Sequence, residues 1–298
     1  MFIKAEVLLT RQCSLSCSYC RMKRKPSTDI SIDTWKKVLS RLREWDVRFL
    51  AIYGAEPTEY PCFFSFLSLV KDLGWGKANT VITAGHNPGI IHTGIKMGLI
   101  DSVTMSWDFS KTKKDNLAMS LGKSIRNKIS DLEISATIFE NITKEQIDQM
   151  MDAVDSLDAW LSFDLKHMNT SGHTWSKVPK DCQRTDKNDV VIEHLLYLKR
   201  EGRKIHQTEL AIEKCLSHEP LWNCTQPFFM TVNCDGVAMV CDDFGYSEKR
   251  VDLWKSENEF RDWWGAEAKK CIGCKWTTHV MSEEMFNQEG VSHFCHGR

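Results

Sequence analysis

No stretch of this chain approaches the roughly 20 consecutive apolar residues that a membrane-spanning helix needs, and no membrane partner is expected. The N-terminus shows no basic leader followed by an apolar core, so the expected location is cytoplasmic. Charge of one sign is also missing. Lys and Arg number 39 against 40 Asp and Glu, a net charge of -1. That balance gives no electrostatic ground for strong nucleic-acid binding. The basic runs at 21–25 and 111–114 are short and read as solvated loops. What remains is a globular composition, 42% hydrophobic and 27% charged over 298 residues, enough for one large domain with a smaller appendage.

Cysteine, in contrast, is plentiful at 12 residues. In a secreted protein of this size that number would suggest disulfides, but the spacings point to metals in a reducing compartment. Cys13, Cys17 and Cys20 form a C-x3-C-x2-C run, Cys-Ser-Leu-Ser-Cys-Ser-Tyr-Cys, directly after an apolar stretch at 3–9. Chance would supply such a run about 0.02 times per chain at this cysteine frequency. Three thiolates so close can hold three corners of one iron-sulfur cluster and leave the fourth iron open to chemistry. Zinc is the alternative, but it would want a fourth ligand, which only folding could supply, from His86 or Asp29.

A second group lies in the last third of the chain. Cys224, Gly236 and Cys241 make C-x11-G-x4-C across a hairpin-like segment, and Cys271 and Cys274 make C-x2-C. Two such pairs supply four ligands to one centre, and spacing alone does not separate zinc from an iron-sulfur cluster. Cys234 or Cys295 could replace one ligand, while Cys62, Cys182 and Cys215 receive no role. Trp254, Trp263, Trp264 and Trp276 surround this group, where they could exclude water from a centre or simply pack a core.

Strand-like runs at 3–9, 47–53, 79–83, 102–107, 132–139 and 159–164 alternate with helical patterns. The clearest helix starts near Ser31, has Asp33 in its first turn, and carries Trp35, Val38, Leu39 and Leu42 at helical spacing. Further helices are expected at 63–73, 116–129, 144–157 and 189–202. Six beta-alpha repeats predict a curved parallel sheet, an incomplete relative of the eight-stranded barrel. Reactive residues of such sheets gather at the carboxyl ends of strands. The cysteine run, Glu56, Gly85, Asp108 and Asn141 all fall there, with Lys166, His167 and Met168 following the sixth strand.

The run C-x3-C-x-aromatic-C resembles that of the radical S-adenosylmethionine (SAM) enzymes. Ile-Tyr-Gly-Ala-Glu-Pro at 52–57 is similar to that family's Gly-Gly-Glu-Pro motif, with Ala55 in place of the second Gly. Val-Ile-Thr-Ala-Gly-His at 81–86 is similar to its Thr-Asn-Gly strand end, with Ala84 in place of Asn. The resemblance implies an α/β fold, a partial (β/α)6 TIM-like barrel, with a C-terminal cysteine-rich extension like those called twitch or SPASM. It implies a division into a SAM core at 1–170, a linker with bridging helices at 171–215 and an auxiliary-cluster domain at 216–298.

The same resemblance implies a [4Fe-4S] cluster on Cys13, Cys17 and Cys20 and reductive cleavage of SAM to a 5'-deoxyadenosyl radical that takes a substrate hydrogen. Tyr19 would lie near adenine, and Gly54, Ala55 and Glu56 near the amino group of SAM. Gly85, Ser106, Asp108 and Asn141 would complete the SAM site, with Asp108 and His167 the catalytic candidates. A second [4Fe-4S] cluster falls to Cys224, Cys241, Cys271 and Cys274. The one-cluster, twitch form is favoured because 275–291 contains no cysteine.

The expected substrate is a peptide or amino-acid-like group, and the electron donor an external one such as flavodoxin or ferredoxin. A small-molecule or nucleoside substrate is the alternative, which the start of the chain directly at the first strand favours. From another class comes a non-catalytic zinc-binding interaction module, which would be colourless and would not bind SAM.

Overall fold

The computed structural model describes residues 4–15, 17, 29–111, 113–139, 141–165, 188–216, 229–241 and 244–269. Tyr19, Cys20, Lys166, His167, Met168, Cys224, Cys271 and Cys274 lie outside the described residues, as do Cys182, Cys295 and Trp276. The chain divides into two compact units, one of residues 1–104, 127–131 and 225–268, the other of 105–126, 132–224 and 269–298.

In the first unit, strands β1 (Lys4–Leu8), β2 (Phe49–Tyr53) and β3 (Asn79–Thr83) alternate with helices α1 (Ile32–Glu44), α2 (Phe63–Val70) and α3 (Pro88–Lys96). Ser31 caps α1 by accepting from the Thr34 N–H at 3.2 Å, and Asp33 complements the positive end of the helix. Trp35, Val38, Leu39 and Leu42 form its buried stripe, at the expected spacing. Trp35 meets Phe66 of α2 edge to face, 5.2 Å between ring centres. Strand β2 is buried at its three central positions, as a strand covered on both faces must be.

The later part of the chain supplies three more strands to this unit, β7 (Phe229–Val232), β8 (Val237–Cys241) and β9 (Phe244–Arg250), and the helix α8 (Glu257–Ala268). The strand order is β3-β2-β1-β7-β8-β9. Strand β7 pairs parallel with β1, from Lys4 with Phe229 to Val7 with Val232, and β7, β8 and β9 then run antiparallel. Phe260 and Trp264 of α8 are buried, and Phe260 stacks on Trp45 at 4.9 Å. Trp254 packs edge to face on Phe260, so Trp254 and Trp264 serve this core.

The division falls within β4 (Ser102–Trp107). In the second unit follow α4 (Leu117–Ile125), β5 (Asp131–Ile138), α5 (Lys144–Ser156), β6 (Trp160–Leu165), α6 (Asp189–Arg200) and α7 (Glu209–Cys215). Strands β5 and β6 pair parallel from Glu133 with Trp160 to Ile138 with Leu165. Buried residues alternate along both, so one face packs a core. Thr143 and Gln146 close a capping box at the start of α5.

Both units alternate strands and helices with parallel pairing, the α/β class expected. Helices α3, α7 and α8 and strand β9 are additions that periodicity did not reveal. Among the described residues no helix is long and apolar enough to cross a membrane.

Candidate functional site

Parallel pairing of β1 and β2 continues past the ends of both strands. Leu9 N–H donates to Tyr53 O at 2.6 Å, Ala55 N–H to Thr10 O at 2.9 Å, and Glu56 N–H to Gln12 O at 3.0 Å. These bonds set the chain just before Cys13 against the Gly54-Ala55-Glu56 turn. The approach is close: a Cβ at Gly54 would stand 2.7 Å from Thr10 O, nearer than real contacts allow. Glycine is therefore needed at 54 for space. Ala55 is not among the positive-φ residues, so the side chain there meets no backbone penalty.

Glu56 is wholly buried. Its Oε1 accepts from the Thr58 N–H at 3.2 Å, the Thr58 hydroxyl at 2.6 Å and the Thr83 hydroxyl at 2.8 Å. Its Oε2 accepts from the Ala84 N–H at 3.0 Å. A buried carboxylate is tolerated only when its lone pairs are so satisfied. The carboxylate thereby ties the loop after β2 to the end of β3. Ala84 takes part through its backbone, so the lack of an Asn side chain there removes nothing from this network. Gly85 follows in the left-handed region, φ +80, and its N–H donates to the Thr83 hydroxyl.

A second acid and a histidine reach the cysteine run. The Ser14 N–H donates to Glu59 Oε1 at 2.6 Å, and the Ser14 hydroxyl lies 3.1 Å from His86 Nε2. His86 Nε2 is 2.9 Å from Glu59 Oε1, and its Nδ1 is 3.6 Å from Glu56 Oε2. A carboxylate only accepts, so a hydrogen bond to Glu59 requires the proton on Nε2. Burial alone would raise the Glu59 carboxyl, but hydrogen bonds from Ser14 and His86 outweigh it and hold that carboxyl below its usual value. Ser14, Glu59 and His86 were not singled out from sequence as a group, and the bonds that join them span distant positions.

Cys13 is half-buried and Cys17 exposed, and neither is in a disulfide. His86 and Asp29 have other partners: Asp29 Oδ2 accepts from the Thr10 hydroxyl at 2.8 Å. Among the described residues no three His, Cys, Asp or Glu side chains form a metal site, the third cysteine of the run lying outside them. The described donors nonetheless fit an iron-sulfur cluster chemically: a half-buried thiol at Cys13, on backbone fixed from Thr10 to Ser14 at the carboxyl edge of a parallel sheet, and an exposed thiol at Cys17. Of the second cysteine group, Cys241 ends β8, while Cys234 is wholly buried in the β7–β8 turn. Cys215 is buried in the second unit and Cys62 is exposed.

The remaining predicted residues lie in the second unit. Ser106 is half-buried on β4, and Asp108 follows that strand. Asp108 Oδ1 accepts from the Ser110 N–H at 2.9 Å and the Ser110 hydroxyl at 2.7 Å, while its carbonyl accepts from Asn116 Nδ2 at 3.0 Å. Asn141 is exposed just after β5. A pocket beside Asp108 is lined by Trp107, Phe109, Ser110, Lys111, Gln146 and Gln149.

No protein-family model matches the sequence, and no curated protein is similar to it. Solved structures are similar in fold. SuiB of Streptococcus suis bound to S-adenosylmethionine superposes with a TM-score of 0.64 at 13% identity, over 94% of this chain and 74% of that one. Native anSMEcpe with bound AdoMet and a Cp18Cys peptide gives a TM-score of 0.65 at 13% identity, over 98% of this chain and 97% of that one. SuiB bound to its precursor peptide SuiA gives 0.61 at 15% identity, over 87% of this chain and 66% of that one. Two of the three were solved with S-adenosylmethionine bound and two with a peptide. The chain has their fold, the partial (β/α)6 barrel that its motifs led us to expect.

Proposed function

We propose that this protein is a radical SAM enzyme in which Cys13, Cys17 and Cys20 hold a [4Fe-4S] cluster with one iron left for SAM. The observation that carries the reading is the C-x3-C-x-Tyr-Cys run following β1 in a chain with this fold, its first cysteine set beside the Gly54-Ala55-Glu56 turn. When bound, the cluster would supply the electron for reductive cleavage of SAM, giving the 5'-deoxyadenosyl radical that would take a substrate hydrogen.

The protein's own residues bind, orient and exclude water. Backbone at Gly54 and Ala55, with Glu56 and Gly85, holds the amino-acid part of SAM. By the motif resemblance, Tyr19 would lie against adenine, and Ser106, Asp108 and Asn141 would meet ribose and substrate. The Glu56 carboxylate acts chiefly by fixing the strand ends, because its bonds to Thr58, Thr83 and Ala84 occupy most of its accepting capacity. In this reading 1–170 forms the SAM core, 171–215 a bridge, and 216–298 an extension with a second [4Fe-4S] cluster on Cys224, Cys241, Cys271 and Cys274. Held by four cysteines, that second centre would have no open iron and would suit the role of electron acceptor or relay.

The substrate in this proposal is a peptide or amino-acid-like group. Support comes from SuiB, solved with the precursor peptide SuiA, and anSMEcpe, solved with the Cp18Cys peptide. The electron comes from a flavodoxin or ferredoxin in a reducing compartment, which suits cysteines that bind iron.

The test is anaerobic reconstitution with iron and sulfide, dithionite reduction, addition of SAM, and chromatography for 5'-deoxyadenosine, with Cys17→Ala alongside. About eight irons per chain are expected for two clusters, with deoxyadenosine formed by wild type and absent from the variant. Bound zinc without iron, or iron-loaded protein that forms no deoxyadenosine, would sink the proposal in favour of a binding module.

A further inference from the structure

The segment that carries Cys13, Cys17 and Cys20 begins after Arg11 and Gln12 and ends at Asp29 and Ile30. Its two ends meet, since the Thr10 hydroxyl donates to Asp29 Oδ2 at 2.8 Å. The turn between β7 and β8, residues 233–236, touches both ends. At the first, Arg11 Nη2 donates to Asn233 Oδ1 at 3.1 Å. At the second, the Ile30 N–H donates to Cys234 O at 3.1 Å. The Ile30 side chain packs on Gly236, where an added Cβ would stand 3.1 Å from Ile30 Cδ1 and 3.2 Å from Val38 Cγ2. Ile30 O is held in turn by the Tyr60 hydroxyl at 3.0 Å.

The turn is built to stay in place. Asn233 Oδ1 also accepts from the Cys234 N–H at 2.8 Å, and the Asp235 carboxylate accepts from the Val237 N–H at 3.0 Å. Gly236 takes φ +77, a left-handed angle that glycine adopts without strain, and its N–H closes the turn on Asn233 O at 2.8 Å. Asn233 and Cys234 are 5% and 0% exposed. Parallel pairing of β7 with β1 delivers the turn to the chain just past β1. A hairpin that only presented Cys241 would have no use for a buried amide bonded to Arg11 or a glycine fitted to Ile30.

We propose that the 233–236 turn is a clamp on the cysteine segment, with Asn233 and Arg11 as positioning residues for the iron-binding thiols. The idea rests on the radical SAM reading for what the thiols bind, but the clamp itself is a property of the protein alone. One lost hydrogen bond raises local opening about fivefold, and Cys13, two residues beyond Arg11, feels it first.

The experiment uses the full chain as wild type, Asn233→Ala, Asn233→Asp and Arg11→Ala. In the reduced apo-protein, iodoacetamide labelling read by peptide mass spectrometry gives the rate at Cys13 relative to exposed Cys62. In reconstituted protein, anaerobic transfer of iron to a chelator gives a second rate. Both rates are expected to rise about fivefold in Asn233→Ala and Arg11→Ala. Asn233→Asp keeps an acceptor for Arg11 and for the Cys234 N–H but exchanges the Asn233 Nδ2 bond to Asp235 Oδ2, 3.4 Å, for two facing carboxylates, so its rates should rise less than those of Asn233→Ala. Unchanged Cys13 labelling in the alanine variants, or equal effects of Asp and Ala at 233, would overturn the clamp. Should Asn233→Ala not fold, Arg11→Ala decides, because it leaves the turn's own bonds intact. Wild-type protein that takes up no iron contradicts the radical SAM reading, and the labelling arm still decides the clamp.

Discussion

Glu56 follows β2 and Asp108 follows β4, two carboxylates just past strand ends, and the protein treats them differently. Glu56 is wholly buried and gathers hydrogen bonds from the end of the next strand, at Thr83 and Ala84, as well as from Thr58. Asp108 is half-exposed, and its carboxylate bonds Ser110, two positions on, in the manner of an ordinary turn. The first is a long-range tie that fixes two strand ends together; the second shapes only its own loop. A substitution at Glu56 therefore mixes stability with any loss of SAM contact, whereas Asp108 can be changed to test chemistry with the fold intact.

That contrast can be broken by measurement. Glu56→Ala leaves two threonine hydroxyls and the Thr58 and Ala84 N–H groups without their acceptor, and should cost about 3 kcal/mol in urea unfolding. A loss under about 0.5 kcal/mol, the scale of a surface substitution, would mean that the tie is not structural. Gly54→Ala drives a Cβ into Thr10 O and should cost about 2 kcal/mol, with Ala55→Gly costing far less. Equal effects at 54 and 55 would remove the steric account of that turn.

Glu59 sharpens the comparison through pH. Its carboxyl is held below the ordinary value of 4.5, mainly against burial, by Ser14 and His86. A depressed carboxyl contributes stability that is present above its unfolded pKa and is lost as pH falls through the folded value, since the unfolded chain takes up the proton first. Unfolding midpoints followed from neutral pH into acid should fall less steeply in Glu59→Gln than in wild type. The reverse slope would contradict the cause assigned here. Asp108→Ala is the smallest effect, about 0.5 kcal/mol or less on stability, and in the proposed enzyme it lowers deoxyadenosine formation with the unfolding midpoint nearly unchanged.

Much of the fold was legible because its signals are local. Ser31, Asp33 and the apolar stripe from Trp35 to Leu42 announce α1, and the runs at 79–83 and 102–107 coincide with β3 and β4. Helix α3 was not legible. It opens with Pro88 and Gly89 and contains Gly94, poor helix residues whose place is secured by packing, Gly94 lying against Ile100. Nor does periodicity announce that β7 pairs with β1, since parallel partners leave no turn signal between them.

The site divides in the same way. The cysteine spacing and the Gly-Ala-Glu-Pro turn are visible as motifs. The bonds that hold them are not: Arg11 and Asn233 are 222 positions apart, and His86 meets Ser14 over 72. Single residues such as an asparagine in a hairpin turn carry no mark of a distant partner.

The most direct test of the central claim is electron paramagnetic resonance of anaerobically reconstituted, dithionite-reduced protein before and after SAM is added, with the Cys224, Cys241, Cys271 and Cys274 set replaced by Ala so that only the first cluster contributes. We expect a reduced [4Fe-4S] signal that changes when SAM reaches the open iron. A signal that SAM leaves unaltered, or no cluster signal at all from protein that remains folded, would contradict the account.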